Sequence, residues 1–430
     1  MTSSTVVTAL LNWFEAHGGK NPKLEIRYLG ELEGHGVYTK QALKRTETTI
    51  QVPFQLTMSI KSAAQSDLSP VFEKYHQIPD DEILALHLMH ERTKGKNSFF
   101  APFIASLPTT FDLPVFWTAT ELHELQGTNV VLLTQLMQKQ LQHDFESIHQ
   151  AVITDFPAIF RALPTLTLHD YTWAMSVIWS RAFGITRKAT YVRVLCPILD
   201  MFNHDSRVCD PLDDFVSYDP KKDILRHHVP HDVVANSALT ISYGLYSNAK
   251  LLYSYGFVAK ENNHRVLDFW MKLPRNDPQW RRKQLLLDSN ELTNNQTYDF
   301  RGTLFLKDVD ERLLATLRVI VANEHEWNLL DKAFEESIVS IRNELAVYEA
   351  LQTACRRKLA TYATTLEEDQ GLVLHAETEW NRRLSCAIQV RMEDKQVLTS
   401  VVNTLEQWKH TLVESPETYP PSTTRALELM

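Results

Sequence analysis

Two short segments carry side chains that could bind a ligand or take part in a reaction. The first is Asp200-Met201-Phe202-Asn203-His204, which follows a predicted strand and supplies a carboxylate, an amide and an imidazole within five residues. These groups could coordinate a metal ion, hydrogen-bond a ligand or only satisfy the backbone at the end of a strand. A metal site is the weakest of these hypotheses, because no Cys or further His lies nearby at ligand spacing.

The second segment, Ser242-Tyr243-Gly244, ends another predicted strand and leads into a helix that begins near Ala249. A Tyr-Gly pair in this place puts the phenol at the carboxyl end of the strand, where glycine lets a ligand approach the backbone closely. Taken alone, a tyrosine in such a position is more often part of the core or its rim.

Three other groups of residues give weaker signals. Arg181 lies at the end of a predicted helix, where an arginine commonly pairs with a surface carboxylate. The turn Gly34-His35-Gly36 lacks the third glycine and the helix that a dinucleotide site requires. The histidines at 227, 228 and 231 are expected to be exposed strand and turn residues.

Composition limits the classes to which the protein can belong. With 430 residues, 44% hydrophobic and 23% charged, the chain has the composition of a globular protein rather than a disordered or collagenous one. Its length predicts roughly two to three units of about 150 residues. The formal charge of −9 argues against nucleic-acid binding, and the absence of a long apolar run argues against a membrane span.

Cysteine usage predicts a reducing compartment. The four cysteines form no C-x-x-C pair, which argues against both a disulfide framework and a cysteine-rich zinc site; they are Cys196, Cys209, Cys355 and Cys386. The N-terminus lacks the basic and apolar regions of a signal peptide. We therefore expect a cytoplasmic or nuclear protein.

The candidate residues fall on elements that the hydrophobic periodicity predicts. Residues 24–60 indicate short strands, residues from about 67 to 190 a helical insert, and residues 192–195 and 239–243 a return to strands. Two long amphipathic helices are predicted in the last 120 or so residues, around 334–355 and 380–405. The acidic run Glu367-Glu368-Asp369 is predicted to lie in the turn between them.

In this order the segments resemble the SET-domain protein methyltransferases, in the branch of the Rubisco large-subunit lysine methyltransferase and the actin-histidine methyltransferase. The resemblance covers nearly the whole chain. It depends on Gly34-His35-Gly36, Asn97-Ser98-Phe99-Phe100, Ser180-Arg181-Ala182-Phe183, Asp200 to His204, Tyr243-Gly244, Ser247-Asn248-Ala249 and Tyr255-Gly256-Phe257. It implies an α+β fold, in which residues 1–264 form a knotted SET-type β fold with small sheets and residues 265–430 an all-α substrate-binding domain.

The resemblance also implies a cofactor and a set of site residues. The methyl donor would be S-adenosyl-L-methionine, with no metal, and Tyr243 would be the catalytic residue. The residues implied in donor binding are Glu33, Gly34, His35, Gly36, Arg181, Asp200, Asn203, His204 and Tyr255. Because His35 replaces the small or apolar residue of some relatives, its backbone rather than its ring is expected to contact the donor.

The acceptor is predicted from two positions. In the histidine-modifying relative an asparagine lies two residues after the helix arginine, and a tryptophan immediately precedes the aspartate; here these residues are Phe183 and Leu199. With Tyr255 they are the predicted substrate-binding residues. An aromatic wall suits the stem and cationic head of lysine, so the prediction is lysine methylation of a protein substrate by a monomer. The alternatives are a histidine methyltransferase of the same fold and an inactive SET-fold module that binds proteins.

Overall fold

The computed structural model describes residues 3–30, 33–160, 167–208, 216–293, 299–379 and 382–414. Cys209 and residue 380, where the second predicted C-terminal helix begins, lie outside these ranges. Within the described residues, no helix combines the length and the apolar composition that a membrane span needs.

The strands of the first 260 residues are short, as the sequence predicts. They are β1 (Leu24–Gly30), β2 (Gly34–Thr39), β3 (Thr48–Pro53), β4 (Met58–Ser59), β5 (Phe183–Arg187), β6 (Thr190–Leu195), β7 (Asn203–His204), β8 (Val216–Asp219), β9 (Ile224–His228) and β10 (Ala238–Ile241). Three further strands follow, β11 (Val266–Lys272), β12 (Asp299–Phe305) and β13 (Asp308–Val309).

The helices separate the early strands from the later ones and dominate the C-terminal part. They are α1 (Ser3–Ala16), α2 (Ile60–Ala64), α3 (Ser69–Lys74), α4 (Asp80–Thr93), α5 (Ala101–Ser106), α6 (Ala119–His123), α7 (Asn129–Asp155), α8 (Pro157–Phe160), α9 (Leu168–Arg181), α10 (Asn248–Tyr255), α11 (Trp280–Ser289), α12 (Glu311–Val321), α13 (Ile341–Leu359), α14 (Leu366–Glu379) and α15 (Arg382–Glu414). The two long helical patterns predicted near the C-terminus are confirmed as α13 and α15.

The chain forms two compact units. Unit 1 contains residues 1–116, 134–245 and 253–259, and unit 2 contains residues 117–133, 246–252 and 260–430. The division into compact units therefore differs from the single boundary that the sequence predicts. The predicted domain boundary near residue 264 stays a prediction.

Unit 1 contains three small sheets. Their strand orders are β1-β2-β10-β7, β3-β9-β8 and β4-β6-β5. In the four-stranded sheet β10 pairs antiparallel with β2 and parallel with β7. This pairing brings the glycine segment, the Asn203-His204 segment and the strand before Tyr243 side by side, although more than 160 residues separate β2 from β7.

The helical insert supplies much of the core of unit 1. Helices α4 and α9 pack on one another and on the sheets. Tyr171 and Phe103 are among the largest side chains that the fold buries completely. Helix α9 ends at Arg181, so this packing also fixes where the arginine of the candidate site lies.

Unit 2 is mainly helical but contains a three-stranded antiparallel sheet, β11-β12-β13. Leu267 and Phe269 of β11 are buried, whereas Asp268 between them is half-buried and Trp270 after them is exposed. Alternation of this kind is the signature of a half-buried strand. The α+β class is confirmed by the fold, but the prediction that residues 265–430 are all-α is wrong, because β11, β12 and β13 lie within them.

The acidic run at 367–369 is not a turn, and that prediction is wrong. It forms the first turn of α14, where negative side chains are favourable at the N-terminus of a helix. Asp369 is completely buried and accepts hydrogen bonds from Arg391 and Lys395 of α15. Two cations in a distant part of the sequence therefore allow this carboxylate to enter the core.

Candidate active site

The four-stranded sheet positions the histidine of the Asn203-His204 segment against the tyrosine strand. Asn203 and His204 pair with Thr240 and Ile241 of β10. The backbone N–H of Tyr243 donates to Nδ1 of His204 at 3.1 Å. The imidazole must therefore carry its proton on Nε2 when it is neutral.

The glycine segment lies against Asn203 and is open on its other side. A Cβ added to Gly36 would lie 2.8 Å from Leu29 Cδ1 and 3.4 Å from Asn203 Nδ2, so a larger residue would displace the side chains that border the strand. Gly34 has a φ of +66° and nothing within 4 Å of its added Cβ. Glu33 beside it is exposed. The backbone here is accessible to a ligand.

Tyr243 is held by its hydroxyl as well as by its backbone. Its Oη donates to the carbonyl oxygen of Phe202 at 2.9 Å. Burial raises the pKa of Tyr243 to about 12, with a smaller lowering effect from Arg181 and a raising effect from Asp200. The phenol therefore stays protonated at neutral pH and keeps its hydrogen bond.

Aromatic rings surround this phenol. The ring centroid of Tyr243 lies 4.7 Å from that of Tyr255 and 6.3 Å from that of Phe257. His204 lies 5.2 Å from Tyr243 on the same measure. Phe257 was not among the predicted site residues, although it belongs to the Tyr255-Gly256-Phe257 segment and could have been found from it.

Gly256 places these two rings. Its φ of +79° lies in the left-handed region that favours glycine. An added Cβ would approach the backbone of Asp112 and Leu113 to 3.0 Å. The chain can therefore turn here between Tyr255, which ends α10, and Phe257, and bring both rings to Tyr243.

Arg181 pairs with the buried carboxylate of Asp200 at the same site. Nη1 of Arg181 donates to the carbonyl oxygen of Asp200 at 2.9 Å and to its Oδ2 at 3.3 Å. The Asp200 side chain is 1% exposed, and its burial raises its pKa although Arg181 opposes the shift. Arg181 therefore does not pair with a surface carboxylate, as an isolated helix-end arginine would. Its side chain remains 26% exposed.

His35, in the glycine segment, interacts electrostatically with Arg181. Burial lowers the pKa of His35, and the positive charge of Arg181 lowers it further. On the neighbouring strand Tyr28 pairs with His35, and their ring centroids lie 5.5 Å apart. The ring as well as the backbone of His35 thus borders the site.

Phe183 and Leu199, the two residues from which the methyl acceptor was predicted, lie in or against the core of unit 1. Phe183 begins β5, pairs with Val194 and is half-buried. Leu199 is only 2% exposed, and Ile198 before it has a φ of +68°. Leu199 belongs to the hydrophobic cluster against which Phe183 and Tyr243 both pack. Direct contact with a substrate stays a prediction for Phe183 and Leu199.

His227 is buried, and its predicted exposure is wrong. The side chain is 2% exposed, its Nδ1 lies 2.7 Å from Thr49 Oγ1, and its ring lies 4.6 Å from that of Phe202. Burial lowers the pKa of His227 to about 3. Within the described ranges, no group of three or more His, Cys, Asp and Glu side chains could hold a metal ion.

The chain is similar in sequence to one protein family and to known methyltransferases. The family model described as Rubisco LSMT substrate-binding matches residues 274–398. The chain is 26% identical over 420 residues to a Rubisco large-subunit N-methyltransferase of Pisum sativum, covering 94% of this chain and 82% of that protein. It is 27% identical over 411 residues to an actin-histidine N-methyltransferase of Canis lupus familiaris, covering 91% and 68%.

Solved structures show the same fold. A crystal structure of the SET domain of LSMT bound to lysine and AdoHcy superposes with a TM-score of 0.80 at 24% identity, covering 99% of each chain. A structure of Rubisco LSMT bound to AdoMet gives 0.78 at 23% identity, with the same coverage. The resemblance found in the sequence motifs is thus confirmed for the fold and for one domain: the chain has the fold of these LSMT SET-domain structures, and its residues 274–398 match the Rubisco LSMT substrate-binding family.

Proposed function

We propose that this protein transfers a methyl group from S-adenosyl-L-methionine to a lysine ε-amine of a protein substrate. The observation that carries the proposal is the protonated Tyr243 hydroxyl, which is fixed by the Phe202 carbonyl within a cluster of aromatic rings. The glycine strand, Asn203 and Arg181 lie around the same sheet end. The relatives that match over most of the chain are protein methyltransferases by name.

The residues present fit the methyl donor. Of the described hydrogen bonds made by Arg181, all use Nη1, which leaves Nη2 and Nε for a carboxylate. Gly34 offers an open backbone for the amino-acid end, and the amide of Asn203 lies beside Gly36. When bound, the donor supplies an electrophilic methyl group on a positively charged sulfur.

The protein's own contribution is alignment and the exclusion of water rather than acid-base chemistry. Methyl transfer to nitrogen is an in-line displacement, so the acceptor must be oriented and desolvated. Tyr255 and Phe257 provide aromatic walls beside the Tyr243 ring. A lysine that enters this site loses solvation, which lowers its pKa and favours the neutral amine that can attack.

The residue at position 183 favours lysine over histidine as the acceptor. Phe183 replaces the asparagine of the histidine-modifying relative and cannot hydrogen-bond an imidazole nitrogen. Aromatic side chains instead suit the aliphatic stem and the ammonium head of lysine. Relatives that modify histidine and relatives that modify lysine match at similar identity, 27% and 26%, so they support both acceptors.

Calorimetric titration of the protein with S-adenosyl-L-methionine tests the donor site. We expect binding by the wild-type protein, weakened by about 1–3 kcal/mol in Asn203→Ala because a hydrogen-bonding group opposite the ligand is lost. Gln41→Ala, which removes an exposed amide elsewhere, is the control and should bind like the wild type. An absence of donor binding by the wild-type protein would favour the inactive binding module instead.

A further inference from the structure

Unit 1 contains a cavity that is formed by other residues than the candidate active site. It lies between the segment after β3, helices α2 and α4, and the turn before α5, and has a volume of about 420 Å³. We call it the α2–α4 cavity. Cavities of small-molecule sites commonly range from about 300 to 1,000 Å³, so the space suits a compact ligand.

The lining of the α2–α4 cavity includes a buried, uncharged histidine. His87 lines the cavity and is only 1% exposed. Its Nε2 lies 3.1 Å from Ser62 Oγ, and its Nδ1 has no hydrogen-bond partner among the described residues. Burial lowers the pKa of His87 to about 4, so the ring is neutral at physiological pH. A buried ring nitrogen without a partner is unusual in a folded protein.

The charged groups around the cavity are paired with one another. Lys94 Nζ lies 2.7 Å from Glu91 Oε1 and 3.0 Å from Asp67 Oδ2. The other oxygen of Glu91 accepts a hydrogen bond from Ser98 at 2.6 Å. Lys61 lies 3.8 Å from Asp223. Because each cation faces a carboxylate, the cavity offers no net charge to an anionic or a cationic ligand.

One wall presents an aromatic ring in a fixed position. Phe99 is 43% exposed, yet its ring is in contact with those of Trp13, His17 and Phe100 at centroid distances of 5.5, 5.1 and 5.1 Å. An exposed ring that its neighbours already hold in place loses little conformational entropy when a flat ligand stacks on it.

The rim carries side-chain amides that can both donate and accept hydrogen bonds. Gln55, Gln65 and Asn97 line the cavity and are exposed, and none of them is hydrogen-bonded through its amide in the described part of the chain. Amides of this kind suit the alternating donors and acceptors on the edge of a heterocycle.

From these features together we propose that the α2–α4 cavity binds an uncharged planar heterocycle of nucleobase or nucleoside size. Phe99 stacks on the ring, the rim amides hydrogen-bond its edge, and the paired charges exclude phosphorylated forms. The site is independent of the proposed methyl transfer, because no candidate active-site residue lines it.

Saturation-transfer NMR and calorimetry with uridine, inosine and nicotinamide test this proposal on the full chain. We expect at least one of the three to bind, and uridine 5′-monophosphate to bind no more tightly than uridine. Phe99→Leu keeps an apolar side chain but removes the stacking ring, and should weaken binding roughly five- to tenfold. Gln65→Ala removes only a rim amide and should weaken it about two- to tenfold.

Tyr191→Leu is the matched control, since Tyr191 is an exposed aromatic residue that does not line the cavity. Its binding should equal that of the wild type. Three results would overturn the proposal: no binding of any of the three compounds at millimolar concentration, tighter binding of the monophosphate, or binding that neither Phe99→Leu nor Gln65→Ala weakens.

Discussion

At the scale of single residues, the site depends on how Tyr243 is held. Its backbone N–H bonds to His204, its hydroxyl bonds to the Phe202 carbonyl, and its ring packs on Tyr255. These contacts leave the side chain little freedom to reorient during a reaction. A phenol that is already oriented stabilises a transition state without a further cost of reorganisation.

Tyr243→Phe therefore should lower kcat by about a hundredfold, the size of effect seen when one preorganised hydrogen-bonding group is removed. Donor affinity should change little, because the ring and its packing remain. The measurement is single-turnover transfer of labelled methyl groups together with calorimetric donor binding. Tyr191→Phe, at an exposed position, is the control. Wild-type turnover in Tyr243→Phe would remove the hydroxyl from the mechanism.

The order of the motifs along the chain is sufficient to predict Arg181, Asn203, His204 and Tyr243 as site residues. Burial was harder to predict. His227 is buried because β9 pairs with β3 and places it against Thr49, 178 residues earlier in the sequence. The residues next to His227 in the sequence do not indicate that pairing. The cluster of His227, His228 and His231 therefore has the pattern of an exposed turn.

His227 makes stability depend on pH in a predictable direction. Its pKa falls from 6.5 to about 3 on folding, so below pH 6.5 the unfolded chain binds a proton that the folded chain does not. The free energy of unfolding contributed by this residue is therefore complete above pH 6.5 and is lost as the pH falls toward 3.

His227→Gln should reduce the pH dependence of the unfolding free energy by about 1.4 kcal/mol per pH unit between pH 6 and 4. Glutamine can keep a hydrogen bond to Thr49 without the titrating group. Denaturant unfolding at several pH values measures the slope, and His76→Gln at an exposed position controls for replacing a histidine. Equal slopes for wild type and His227→Gln would refute the assignment.

At the scale of elements, α14 shows how distant parts of the sequence decide local structure. Its first turn contains the acidic residues that were expected to form a loop. Asp369 becomes a core residue only because Arg391 and Lys395 of α15 meet it, 22 and 26 residues later. A local pattern cannot distinguish a solvated acidic turn from a helix start whose partners come from another helix.

Asp369→Ala should lower the free energy of unfolding by about 3–5 kcal/mol, because two buried cations would lose their partner. Glu367→Ala is the matched control: it removes an exposed carboxylate two residues earlier in the same helix turn and should change stability by less than about 0.5 kcal/mol. Denaturant unfolding of both variants provides the comparison. Similar losses of unfolding free energy in the two variants would show that the contacts of Asp369 with Arg391 and Lys395 add no stability beyond that of an exposed carboxylate.

At the scale of the whole molecule, each of the two units is built from three separate stretches of the sequence. Residues 117–133 and 246–252 pack in unit 2, whereas residues 134–245 and 253–259, which follow them in the sequence, pack in unit 1. Arg391 donates to the Glu124 carbonyl, and Asn248, which is fully buried, donates to Glu393. Composition and periodicity predicted the change of character near residue 265, but a short segment that joins the other unit changes neither.

Deleting residues 265–430 should therefore yield a fragment that aggregates or is inactive. The cut removes the partners of Glu124 and Asn248 and exposes apolar surface in both internal segments. Size-exclusion chromatography and thermal unfolding measure this, with the full chain as the reference. A soluble fragment that unfolds cooperatively and keeps full transfer activity would show that residues 1–264 fold alone.

The most direct test of the central claim is to identify the methylated amino acid. The protein is incubated with a lysate and S-adenosyl-L-methionine labelled on its methyl group, with Tyr243→Phe as the control for transfer by other enzymes. Labelled proteins are hydrolysed in acid and their amino acids separated. We predict label in ε-N-methylated lysine with the wild-type protein and a strongly reduced signal with Tyr243→Phe. Label confined to methylhistidine, or no label above the control, would contradict the account.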